Sequence, residues 1–354
     1  MEFNDLKKLC VAAFGADKHA PLAYSEGAEK FSAAEVSKAV AKEFRNLTGY
    51  VEGQGCNYRT FKKNENTIFE LIEETITEVL PPRVEAQYEQ FAEVKRIPQG
   101  DRATFKVKVT DASKRRAKKF VSQVGLAGRY EVFMLDGNEF EVKTNAVGAA
   151  ARIGFEEFLD GRWEFSEFTS LILEGVDEYI YKEIMKALET LVAGLPAQNK
   201  ATGAGFVETT FDDLLSTIDT YGKSTIYCTQ EFANQMVPSD SRMSGAMKET
   251  LWNNGWLGNY KGHQVIVLAQ SFEDTTNKVK VVDPQFCYMI PTGSTKPVKI
   301  VFEGQTQVRS VEDNDDWSTD LQTYTKVGVG TIADLEGNHF IGVYTNTALH
   351  KTRA

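Results

Sequence analysis

The sequence predicts an α+β fold. Three observations carry that prediction. Apolar residues at helical spacing mark residues 1–93 and Phe165–Val192, helix and strand patterns alternate from 206 to about 290, and strand patterns dominate from there to the C-terminus. A chain of 354 residues has room for two or three domains and a sizeable core. Its 42% hydrophobic and 25% charged residues exclude a disordered chain. No apolar run approaches the roughly 18 residues of a membrane helix. The net charge of −10 argues against a dedicated nucleic-acid binder, because affinity for phosphate is largely electrostatic. Cys10, Cys56, Cys228 and Cys287 form no CxxC pair and no ligand spacing, so free thiols in a reducing compartment are expected.

The elements follow in order. Leu9 to Ala16 is a short apolar run after Lys7 and Lys8, but Glu2 and Asp5 make the start acidic. It reads as an amphipathic helix rather than a signal peptide. Ala34 to Leu47 places Val36, Ala39, Val40 and Phe44 on one helical face, and Asn64 to Leu80 does the same with Ile68, Leu71, Ile72, Ile76 and Val79. Pro81-Pro82 is expected to end the second helix, and Gly49 to Lys63 reads as an extended link. Residues 1–93 therefore read as an arm. From 94 to 143 the pattern turns to strand: Thr104 to Val109 alternates, Tyr130 to Met134 follows, Asp136-Gly137 is a turn signal, and Phe140 to Lys143 alternates again. This reads as a β-hairpin excursion.

Phe165 to Val192 is the longest helical pattern, on the order of 40 Å at 1.5 Å per residue. It is the expected spine of region 144–205, with Leu195 to Gly205 a loop. Region 206–290 alternates the helix Thr210–Tyr221, the buried strand Ser224–Thr229, the helix Met247–Asn254 and the strand His263–Ala269. Region 291–354 closes with Val298–Phe302, Gln305–Val311 and a strand pair, Thr323–Ala333 and His339–Thr345, joined by Leu335-Glu336-Gly337-Asn338.

Motifs for chemistry fail on context. Gly328-Val-Gly330-Thr-Ile-Ala333 matches a dinucleotide fingerprint, but its flanks alternate as strand, with no helix to meet a pyrophosphate. The four histidines lack metal spacing. A Cys228–His263 nucleophile pair is conceivable, yet a small buried hydrophobe is the simpler account of Cys228. Glu73-Glu74 and Asp212-Asp213 read as solvated helical carboxylates. No cofactor, no metal and no catalytic residue is expected.

Charge is the feature that stands out. Val94 to Lys119 holds Lys95, Arg96, Arg102, Lys106, Lys108, Lys114, Arg115, Arg116, Lys118 and Lys119 against two aspartates, a net +8, and the rest of the chain carries −18. Three readings fit: contact with another copy, a solvated hairpin, or nucleic-acid binding. Only Phe105 interleaves as an aromatic, which disfavours nucleic acid, and the acidic remainder supplies a partner.

The order of parts resembles the major capsid protein of tailed bacteriophages, the HK97-type fold. In that family the excursion is the E-loop, the spine helix and long strands form the P-domain, and the α/β insertion is the A-domain. The resemblance implies residues 1–93 as N-terminal arm, 94–143 as E-loop, 144–205 and 291–354 as P-domain, and 206–290 as A-domain. The segment Leu257-Gly258-Asn259-Tyr260-Lys261-Gly262-His263-Gln264-Val265-Ile266 is similar to a glycine-punctuated hairpin common in such proteins. It implies a structural, non-enzymatic protein that self-assembles into hexamers and pentamers of an icosahedral shell around double-stranded DNA. It also implies a separate scaffolding protein, a portal, weak non-specific DNA contact, no membrane, and assembly in the bacterial cytoplasm before residence in the virion. The E-loop would meet an acidic neighbouring spine helix through Glu174, Asp177, Glu178 or Glu183. Some relatives form a Lys–Asn cross-link; Lys114, Lys118 or Lys119 with Asn346 would be the candidates here, and no such reaction is expected. The alternatives are an encapsulin-like compartment, which shares the fold, and a soluble α/β enzyme.

Overall fold

The computed structural model describes residues 3–14, 24–26, 29–31, 33–52, 55–107, 138–153, 165–237, 243–292, 296–312, 319–332 and 340–352. The chain begins with α1 (Phe3–Phe14), a small hairpin of β1 (Tyr24–Glu26) and β2 (Glu29–Phe31), then α2 (Ala33–Thr48) and α3 (Tyr58–Tyr88). Helix α3 differs most from expectation. It is one 31-residue helix that starts inside the expected link and runs through Pro81 and Pro82. The Asn57 side chain caps it by accepting from the amides of Arg59 and Thr60 at 3.1 and 3.2 Å. The prolines remove ladder hydrogen bonds. However, Val79, Leu80, Pro81, Val84 and Tyr88 are all buried, and this apolar stripe holds the chain helical on both sides of the break.

The expectation of an arm is corrected for these helices. Leu6 and Leu9 of α1, Val36, Val40 and Phe44 of α2, and Ile68, Leu71, Ile72 and Ile76 of α3 share one core with Ile172, Ile180, Ile184 and Leu188 of the spine helix α4 (Phe165–Gly194). Apolar periodicity reported the helices correctly but could not report which face they would cover.

Between α3 and α4 lie β3 (Ala92–Ile97), β4 (Thr104–Val107), β5 (Asn138–Glu141) and β6 (Asn145–Ile153). After α4 come β7 (Lys200–Gly203), α5 (Glu208–Asp219), β8 (Ser224–Thr229), α6 (Gln230–Gln235), α7 (Gly245–Asn254), β9 (Asn259–Tyr260), β10 (His263–Leu268) and β11 (Phe286–Pro291). The chain ends with β12 (Val298–Glu312), β13 (Thr319–Thr331) and β14 (Gly342–Asn346). Two mixed sheets result. A four-stranded sheet runs β3-β12-β13-β6, and a six-stranded sheet runs β7-β14-β11-β8-β10-β9. Helices α3 and α4 pack on the first, and α1 and α2 pack against those helices. Helix α5 buries Phe211, Leu214, Leu215 and Ile218 on the second.

Three strand readings are corrected. Val298–Phe302 and Gln305–Val311 are a single 15-residue strand whose register slips between Glu303 and Gln307, where Gly304 takes φ +72°. Leu195 to Gly205 is not all loop, because Lys200–Gly203 pairs in parallel with β14. Thr323–Ala333 and His339–Thr345 do not pair with each other. β13 lies between β12 and β6, whereas β14 lies between β11 and β7 in the other sheet. The near-continuous burial of β14 needs covered faces, which an interior position between β11 and β7 supplies. The Tyr130–Met134, Asp136-Gly137 and Leu335–Asn338 readings lie outside the described residues.

Candidate assembly interface

Strands β4 and β5 pair antiparallel, from Thr104 opposite Glu141 to Val107 opposite Asn138. Residues 108–137 join the two strands in sequence, and this pairing is what the base of a hairpin requires. Its base is seated by a small core of Ile97, Ala103, Phe105, Val142 and Val301, with Phe140 against it. The glycines of the false dinucleotide motif explain themselves here. They lie in β13 under this base. A Cβ on Gly328 would sit 2.5 Å from the Lys143 carbonyl oxygen, and one on Gly330 would sit 3.0 Å from the Phe140 ring. Only glycine lets the base approach so closely.

Lysines hold the same base. Lys95 Nζ and Lys299 Nζ lie 5.5 and 5.4 Å from the centroid of the Phe105 ring, within cation–π range. Lys95 also donates to the Thr104 carbonyl at 3.0 Å, and Lys299 pairs with Glu93 on β3. Beside them, Glu303, 8% exposed, ties the turn, the returning strand and the sheet together. Its carboxylate accepts from the Thr144 hydroxyl, from the Gly100 amide at 3.0 Å and from Lys326 Nζ at 2.9 Å. These donors, Thr144 foremost, hold its pKa down from 4.5 to about 2. A depressed carboxyl stabilises the fold above its unfolded pKa and loses that contribution as pH falls through the folded one. The hairpin base therefore loosens between about pH 4.5 and 2. Amide exchange of β4 and β5 should accelerate across that window, and Glu303→Gln should remove the acid-dependent part of the change.

The structure sorts the expected contact residues. Lys95 is committed to the base. Arg96 and Arg102 are exposed, and Lys106 lies in β4. Lys108, Lys114, Arg115, Arg116, Lys118 and Lys119 lie outside the described residues. On α4, Glu174 and Glu178 are exposed, and Glu183 is half-buried and 3.6 Å from Lys186. Asp177 is engaged within its own chain, 2.9 Å from Arg83 Nε, where it braces α4 to α3.

The sequence reading missed the second acidic helix. Along α3, Glu70, Glu78 and Glu85 are exposed, as is Glu89 just past its end. The four-residue spacing of Glu70, Glu74 and Glu78 was the available signal. The paired carboxylates are not simply solvated. Glu73 accepts from the Val308 amide at 2.5 Å, and Thr77 accepts from the Thr306 amide at 3.2 Å. Together they cap the edge of β12 beyond the end of β3. Glu74 and Glu78 hold Lys7 at 2.8 and 2.7 Å. Asp212 accepts from the Tyr260 hydroxyl at 3.0 Å and pairs with Lys261.

Cys228 is fully buried on β8 opposite Val267, four residues along β10 from His263. His263 instead faces the Ser224 carbonyl at 3.0 Å and Asp219 at 3.2 Å, so the two do not form a nucleophile pair. Asn346 is fully buried and satisfied. It accepts from the amides of Gly205 and Ala348, both at 3.0 Å, and donates to Gln235 at 2.7 Å, so it cannot meet an outside lysine. Among the described residues no cluster of three or more His, Cys, Asp or Glu could hold a metal ion, and no helix is long and apolar enough to cross a membrane.

The profile of the family described as "SPbeta prophage-derived putative capsid protein YonB" matches residues 5–345. The chain belongs to this capsid family. No curated protein matches it. Among solved structures, the capsid of a native GTA particle is similar, with a TM-score of 0.50 at 11% identity over 74% of this chain and 90% of that chain. A structure titled Microbacterium phage Oxtober96 is similar over 74% and 90%, with TM-score 0.49 and 10% identity. The SrpI encapsulin of Synechococcus elongatus PCC 7942 is similar over 78% and 92%, with TM-score 0.43 and 13% identity. The YonB-family chain has the HK97-type fold and is a structural capsid protein of the virion.

Proposed function

We propose that this capsid protein builds hexameric and pentameric capsomers of an icosahedral shell around double-stranded DNA, and that the basic hairpin of each copy docks on an acidic helical face of the next. The observation that carries this reading is the paired base of β4 and β5. It launches a 30-residue connection, rich in Lys and Arg, from a body whose α3 and α4 expose Glu70, Glu78, Glu85, Glu174 and Glu178. A long hairpin is poorly stable alone and gains from a partner surface. Opposite charge selects and orients that partner. Rings of such copies use head-to-tail contacts that close by rotation. An acidic body also grips packaged DNA weakly, so cargo can leave. Assembly takes place in the bacterial cytoplasm with a separate scaffolding protein and a portal, and the protein acts without catalysis. Electron microscopy of the purified chain, alone and with its scaffolding protein, should show capsomer rings or shells. A strictly monomeric particle under all conditions would contradict the reading.

A further inference from the structure

Three of the four cysteines are buried, and two of those lie together. Tyr288 pairs with Tyr227 and Met289 with Ile226 across the antiparallel strands β11 and β8, so the next step of the ladder sets Cys287 opposite Cys228. Residues directly opposite in such a ladder point to the same face. Both cysteines are 0% exposed, and both belong to the core that α5 covers, with Phe211, Phe232 and Tyr344. Opposed Cα atoms stand about 4.5–5.5 Å apart, inside the roughly 4.4–6.8 Å that a disulfide spans. Burial foremost, then the hydrogen-bonded Cys228 thiol beside it, pushes the Cys287 pKa well above the ordinary thiol range. The other two cysteines lie elsewhere. Cys10 is on α1 in the other core, and the Cys56 thiol donates to Thr48 Oγ1 at 3.8 Å.

A thiol held protonated in an apolar core is a poor nucleophile. The pair therefore stays reduced in a cytoplasm, where the glutathione pool also opposes oxidation. A released virion meets the opposite condition, because extracellular surroundings are oxidising.

We propose that Cys228 and Cys287 are a latent cross-strand disulfide, which closes when the protein meets a small-molecule disulfide and then ties β8 to β11. The step is thiol–disulfide exchange. A transient opening of the strand pair lets one cysteine thiolate attack a sulfur of the oxidant RSSR, which forms a mixed disulfide and expels RS⁻. The second cysteine thiolate attacks the protein sulfur of that mixed disulfide, closes the Cys228–Cys287 bond and expels the second RS⁻. The two thiol protons pass to the expelled thiolates. Two protein thiols are thus oxidised, and one RSSR is reduced to two RSH. The bond closes a loop of about 60 residues, long enough to restrict the unfolded chain strongly. The chemistry belongs to the folded chain itself; only its timing, after release from the cell, rests on the capsid reading.

The test uses the full chain, folded in native buffer and incubated with oxidised glutathione for hours to days. The sample is then quenched with acid, alkylated in denaturant and digested. A peptide pair joining Cys228 to Cys287 should accumulate, and dithiothreitol should release it. The oxidised protein should melt several degrees above the reduced protein. Cys228→Ala and Cys287→Ala should each abolish both the linked pair and that shift. The wild-type peptide map decides the matter even where a variant fails to fold. Absence of the linked pair, or its appearance only when oxidant is added in denaturant, would overturn the proposal. So would an oxidised protein that melts no higher than the reduced one. Closure of the bond in a chain that never forms particles would leave the dithiol standing and overturn only the timing.

Discussion

Replacing Lys114, Arg115, Arg116, Lys118 and Lys119 together by Glu should leave a folded monomer that forms no shells. The five changes turn the net +8 of Val94–Lys119 into −2, so an attraction for a neighbour's acidic face becomes a repulsion. Each exposed pair is worth only about 0.2–1 kcal/mol. A shell repeats the contact in every copy, however, and about 1.4 kcal/mol per contact already shifts an association constant tenfold. The body should not notice. The base of the hairpin is held by Phe105, Val142 and Val301, by Lys95 and Lys299, and by Glu303, none of which is changed. Melting temperature and circular dichroism should match the wild type, while light scattering shows no assembly. High salt should weaken assembly of the unaltered protein in the same direction, because exposed charges are screened within about 8–10 Å. Shells of normal size from the reversed variant would refute the electrostatic role.

The second large effect concerns α3. Ile72→Ala should destabilise the whole body by about 2–5 kcal/mol, the usual range for emptying a fully buried isoleucine site. Ile72 is 0% exposed and lies in the core shared by α1, α2, α3 and α4. If residues 58–88 were a detachable arm, the substitution would leave the unfolding of the rest unchanged. Thermal unfolding should instead move down by several degrees in one cooperative step, with strands and helices lost together. A separate low-temperature transition confined to helix signal would show that α3 is not part of the body.

Much of this was legible in the residues. Spacing alone located the spine helix, because ten apolar positions recur over about seven turns between Phe168 and Val192. It located β8 because Ser224–Thr229 is a short run rich in β-branched and aromatic residues, and the structure buries every residue of it. The +8 segment marks a candidate contact by charge alone, and six of its ten basic residues lie outside the described residues. Local pattern failed where tertiary burial decided. Pro81-Pro82 is a stop signal, yet Pro81 and Val84 are buried on one stripe and the helix continues. The apolar, β-branched and aromatic run of His339–Thr345 announces a strand but carries no label for its partner, and β14 went to the other sheet. The acidic face of α3 went unread for a related reason. Carboxylates on a helix look solvated in sequence, and only the fold shows Glu73 capping a strand edge while Glu70 and Glu78 stay exposed. Asp177 shows the reverse, an expected outward carboxylate that the fold turns towards Arg83.

A density map of the assembled particle tests the central claim most directly. The account predicts that the hairpin rising from β4 and β5 crosses to an adjoining copy and lies over its α3 and α4, with Lys114, Arg115 and Arg116 near glutamates of that copy. Density showing the hairpin lying back on its own α3 and α4, with no basic side chain crossing between copies, would contradict it.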